Sequence, residues 1–175
     1  MAVEDLIPGD LVETHRGPEP IVWIGSTSYL PNVTSETTSL TYLLRLPGDG
    51  VEQNDLLLGP AARLVIRQDR FADILNCDAV LAPASDYVDG DRILQITPPG
   101  AVQLYHFALR RHGIVRANGH ELESYHPGLV TEAEIGTSVR NMLRSMFSHL
   151  TELEAFGDLA FPRTSRDVIE TLRVA

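Results

Sequence analysis

Four of the six histidines of this chain fall within one stretch, LYHFALRRHGIVRANGHELESYHPG, from Leu104 to Gly128. They are His106, His112, His120 and His126. Imidazole changes charge near neutral pH, so proton transfer would be sought here first. A working site also needs a partner for the base, and none stands out. The single cysteine, Cys77, lies far upstream in ILNCDAVL. Its apolar neighbours and one acidic residue do not favour a thiolate, and it reads as a buried structural residue. Ser124 is close by but in no nucleophile motif. His106 and His112 match no compact zinc spacing. Asp86, Asp89 and Asp91 in SDYVDGDRI read as a solvated turn and differ from a calcium-binding loop. Gly48-Asp49-Gly50 lacks the other glycines of a dinucleotide fingerprint. No metal and no cofactor is implied.

Composition narrows the chemistry further. The net charge is −10, and every basic residue is arginine. Without lysine there is no Schiff-base mechanism and no Walker phosphate-binding lysine. The acidic balance points away from nucleic acid, which calls for a positive footprint. One cysteine excludes an intrachain disulfide and a multi-cysteine zinc site. Glu4 and Asp5 interrupt the start, so no signal peptide is expected, and no stretch approaches a membrane span. No membrane partner follows from this, and the compartment stays open.

The elements that must hold these histidines read as short strands between turns. Pro8-Gly9-Asp10 precedes an extended run over Leu11 to Thr14, and Ile21 to Ile24 forms a second, ended by Gly25. Further strands are predicted at Thr41 to Leu46, Leu56 to Leu58, Leu64 to Ile66, Ala79 to Leu81, Arg92 to Ile96 and Leu104 to Leu109. Asn118-Gly119 predicts a type I′ hairpin folding Ile114–Ala117 onto His120–Glu123. On such strands His120 and Leu122 face one way and Glu121 the other. His120 reads as a strand-end residue bonded to backbone. After Gly128 the pattern becomes helical. Thr131-Glu132-Ala133-Glu134 has capping-box spacing, and Ile135, Val139, Met142, Leu143, Met146, Phe147 and Leu150 form an apolar stripe. A last short helix is expected over Arg166 to Val174. The predicted class is mainly β, with a body over residues 3–128 and a helical extension over 129–175 packed on it.

The ordered motifs carry a family resemblance. VEDLIPGDLVETHRGPEPIVWIG at Val3 to Gly25, DLLLGPAARLVI at Asp55 to Ile66, LAPASDYVDGDRI at Leu81 to Ile93 and the histidine stretch together resemble bacterial Hint domains of the hedgehog/intein superfamily. The resemblance implies a horseshoe-like fold of short strands. It also implies rearrangement of the peptide bond before an N-terminal Cys or Ser, aided by a histidine on a central strand and a second one downstream. His112 aligns with the downstream histidine, and His106 with an aromatic-histidine pair before it. The central motif of the group resembles L-L-x-S-P-x-H-R. Here Gly59 replaces its serine and Ala62 its histidine, and alanine has no donor or base. Only Met1 and Ala2 precede Val3, so no initiating Cys or Ser is in place. The expectation is therefore a degenerate, non-catalytic Hint-like module serving structure or protein interaction. Its partner would be another protein or a second copy, reached through the C-terminal helix. The alternative is autoprocessing by an N-to-S or N-to-O acyl shift in a longer chain that supplies the nucleophile, with His112 as the residual catalytic group and His106 as a weaker candidate.

Overall fold

A computed structural model describes residues 1–31, 33, 40–48, 54–128, 141–142, 145–147 and 156–172. Ten strands form two sheets, and every ladder between strands is antiparallel. The strands are β1 (Leu11–Thr14), β2 (Gly17–Tyr29), β3 (Leu43–Leu46), β4 (Leu56–Leu58), β5 (Arg63–Arg67), β6 (Ala79–Pro83), β7 (Leu94–Ile96), β8 (Val102–Leu109), β9 (Ile114–Ala117) and β10 (His120–Glu123). Among the described residues, α1 (Arg70–Leu75) and α2 (Arg166–Thr171) are short helices beside them. The larger sheet has the order β6-β5-β10-β9-β1-β2-β8, and the smaller the order β4-β3-β7. The chain is thus mainly β, as its turn-punctuated sequence predicts.

Alternation of apolar residues closes one sheet on the other. Leu109, Val115 and Leu122 are buried from the large sheet, Leu44 and Leu46 from the small one. Leu56, Leu58 and Leu64 pack against both groups and join them. Each fully buried leucine, such as Leu44 and Leu46, contributes about 1.5–3 kcal/mol by leaving water.

Two local features depart from the expected boundaries. Gly25 does not end its strand: β2 continues to Tyr29, paired throughout with β8. The Trp23 ring folds back over Gly25, where a methyl group would overlap it. The glycine is there for a close approach, and the ladder runs past it. Helix α1 escapes prediction because six residues bury only Phe71 and show no apolar period; Asn76 ends it in the left-handed conformation. The predicted hairpin forms with the predicted register, His120 opposite Ala117 and Glu123 opposite Ile114. Asn118 and Gly119 both have positive φ, as a type I′ turn requires.

Helix α2 occupies part of the span predicted for the final helix. It buries Ile169 against Phe71, Val80 and Ala82. The predicted capping box at Thr131–Glu134 and most of the stripe that follows lie outside the described residues. Of that stripe, Met142 and Met146 are exposed and Phe147 is buried. Among the described residues no helix is long and apolar enough to cross a membrane.

Candidate functional site

His112 sits in the four-residue connection between β8 and β9, where three parts of the chain meet. Gly113 exchanges two hydrogen bonds with Ser124 at the end of β10: its N–H donates to Ser124 Oγ at 3.1 Å, and its carbonyl accepts from Ser124 N–H at 2.9 Å. From the β1–β2 hairpin, the Arg16 guanidinium donates to the carbonyls of His112 (3.2 Å) and Arg111 (3.3 Å). The backbone of His112 is therefore fixed from both sides.

Its ring is fixed as well. The Ala160 backbone N–H donates to His112 Nδ1 at 2.8 Å. A peptide N–H can only donate, so Nδ1 carries the lone pair and the ring proton resides on Nε2. Nε2 lies 3.1 Å from Glu123 Oε1, and the imidazole has no exposed surface. The carboxylate stands off the N–H axis, so no regularly aligned hydrogen bond forms there. Arg163 Nε donates to the same oxygen at 2.8 Å, and Arg63 approaches the other at 3.4 Å. Burial alone would push the Glu123 carboxyl up. The close approach of His112 Nε2, the hydrogen bond from Arg163 and the positive charge beside it outweigh that and hold it below the ordinary range.

His126 is built the same way. Its Nδ1 accepts from Gly128 N–H and its Nε2 donates to Gly157 O, each at 3.0 Å. Its ring meets that of His112 edge-on, with centroids 5.0 Å apart. Burial lowers its proton affinity, only partly offset by the bond to Gly157 and the nearby Glu123. Beyond it lies an aromatic group of Trp23, Tyr125, Phe147 and Phe156; Trp23 and Phe147 approach to 4.3 Å between centroids. Burial also raises the Tyr125 hydroxyl.

The other candidates lie elsewhere. His106 on β8 is exposed on one edge and meets the Tyr125 ring with the other, 6.2 Å between centroids. That packing lowers its proton affinity by partial desolvation, an effect screened by solvent at its open edge. No contact joins His106 to His112 among the described residues. His120 bonds through Nε2 to the Pro47 carbonyl at 2.9 Å. Ser124 Oγ is bound to Gly113. Cys77, predicted to be buried, is half-buried, because it follows the Asn76 helix cap in an open turn, and its thiol donates to Ala79 O. Asp89 folds its turn by accepting from the N–H groups of Asp91, Arg92 and Ile93, which lowers its carboxyl. Among the described residues no three His, Cys, Asp or Glu side chains gather as metal ligands. Ala62 forms the turn into β5, its N–H bonded to Gly59 O and its carbonyl to Ala84 N–H.

Glu123, His126 and Arg163 were not legible as a site from sequence. Glu123 carries one weak signal: a carboxylate between two residues, Leu122 and Ser124, of a hairpin strand that buries one face. Arg163 carries none, since it reaches Glu123 from forty positions away.

The ordered strands and the His112 connection agree with a family-level match. A Hint-domain model covers residues 1–129. The chain belongs to the Hint-domain family. No curated protein and no solved structure matches it. In this Hint domain His112 is buried, and Ala62 shapes the turn into β5.

Proposed function

We propose that this chain is a non-catalytic Hint-like module, a β body over residues 3–128 carrying an extension over 129–175, that serves structure or protein interaction. The observation that carries the reading is the state of His112. Its lone pair is engaged by Ala160 N–H, its proton faces Glu123, and the ring is closed to solvent. A base in that condition has nothing free to offer a reacting bond. Ala62 supports the same reading, since no donor or base stands at the other histidine position. Ser124 and Cys77 are each bound to backbone and paired with no histidine.

The rival reading is autoprocessing by an N-to-S or N-to-O acyl shift in a longer chain that supplies an upstream Cys or Ser, with His112 as the residual catalytic group and His106 as a weaker candidate. Intact-mass measurement over time, with and without thiol, separates the two. The non-catalytic reading expects a constant mass. A discrete product formed with first-order kinetics and abolished by His112→Ala would overturn it.

The interaction part draws on Met142 and Met146, whose exposed, adaptable side chains flank the buried Phe147. Self-association through this stretch predicts a dimer by light scattering, converted by Met146→Glu to a folded monomer. A wild-type monomer at all accessible concentrations would rule that contact out.

A further inference from the structure

Residues 156–164 are held by the β body as a ligand would be. Strand β6 ends the large sheet, and Leu81 uses its outer side to form a parallel bridge to Arg163. Leu81 N–H donates to Pro162 O at 2.8 Å, and Thr164 N–H donates to Leu81 O at 2.9 Å. Addition of an extended segment to a sheet edge is a general mode of peptide recognition, in which the main chain supplies affinity and side-chain pockets supply selectivity. Here the selective contact is the Arg163 guanidinium, donating to Glu123 at 2.8 Å and to the His126 carbonyl at 2.9 Å. Phe161 lies under the Arg67 guanidinium and beside the His15 ring. Upstream, the peptide groups of Ala160 and Gly157 meet the two histidines.

We propose that this edge is a peptide-binding groove, that residues 156–164 are its resident occupant, and that it accepts an extended arginine-bearing peptide from a partner protein in their place. The proposal rests on the interaction reading above and gives it a surface and a ligand chemistry. The commitment to arginine follows from charge: Glu123 is a largely buried carboxylate that needs a cation beside it. The aromatic-proline pair before the arginine suits a straight entry along β6, because proline has no N–H to leave unbonded and its carbonyl is the group Leu81 binds. Exchange opens the histidine pair, since both ring contacts to the occupant leave with it.

The test uses the full chain. Arg163→Glu places a carboxylate against Glu123 and, combined with Ala160→Pro, removes the N–H that His112 accepts. A fluorescent peptide of residues 156–172 is then titrated into the wild-type and doubly substituted chains. The tethered occupant competes at roughly millimolar effective concentration, so the substituted chain should bind at least about tenfold more tightly than wild type. A peptide carrying Arg163→Glu should lose at least about tenfold against the substituted chain. Equal affinity of a folded substituted chain and wild type, or indifference to the peptide's arginine, overturns the proposal. Should the double variant fail to fold, Arg163→Ala alone gives a second readout, the exchange rate of the Leu81 amide. It should rise at least about tenfold and fall again on adding the peptide; no recovery overturns the proposal. Concentration-dependent dimers of the wild-type chain that the peptide dissolves would assign the groove to a second copy, against a separate partner. Failure of peptide binding leaves the intact-mass result untouched, so the two readings fall separately.

Discussion

His112 and His126 differ from His106 and His120 in one respect that spacing along the chain does not reveal. The first two lie under residues 156–163, with each ring nitrogen facing a fixed group. The second two stand on the open side of the β body, one against a tyrosine edge and one on a backbone carbonyl. All four look alike as candidates for acid–base work. What separates them is which sheet face and which later segment meets them. A histidine cluster in sequence is thus one pair and two separate residues in space, and the pair best placed for chemistry is the most completely bound.

The difference can be broken most forcefully at Glu123. Glu123→Ala leaves His112, Arg163 and Arg63 without their shared carboxylate. Loss of one partner from a buried pair of this kind costs about 3–5 kcal/mol, to be read from urea unfolding. His112→Phe keeps the volume but strands the Ala160 N–H and one face of Glu123. The expected loss is about 1–3 kcal/mol, with faster exchange at the Ala160 amide. If His112→Phe is neutral in stability, the ring is not the structural anchor described above.

Acid should act mainly through His126. The folded state lowers the proton affinity of His126 from its ordinary value of 6.5, so the unfolded chain takes up the proton more readily. The stabilisation is complete above that value and is lost as pH falls from it through the folded one. Glu123, also lowered, adds a second loss below its ordinary value of 4.5. Melting temperature should therefore drop between pH 7 and 5, and His126→Phe should flatten that part of the curve. His106→Ala should flatten the curve less, because solvent at its open edge screens the same effect; a larger flattening there would move the sensor to that residue. Smallest of all, His106→Ala and His120→Ala should each change stability by within about 0.5 kcal/mol in denaturant melts, as surface substitutions do.

The β body was largely legible because its signals are local. Apolar runs between turns mark β5 and β8, and Asn118-Gly119 fixes a hairpin by backbone conformation alone. The order of motifs singled out His112 and Ala62 as positions to examine. What stayed hidden is what depends on distant residues. Nothing about Arg163 in FPRTS announces a carboxylate on β10, and nothing in Ala160 announces a histidine acceptor. Gly25 was misread for a related reason: a glycine that receives an indole from two residues away looks in sequence like one that ends a strand. Helix α1 offers too short a run for periodicity to register.

The cover over β6 also bears on how the protein behaves in a crowded solution. Ala79-Val80-Leu81-Ala82 is an apolar strand with no exposed surface, at the end of a seven-stranded order. Such an edge, left bare, is a template for intermolecular sheet growth. Pro83 blunts one end of it, and residues 162–164 shield its middle. A chain that loses this cover should thus fail first by aggregating from an otherwise folded state, with solubility falling before cooperative unfolding begins.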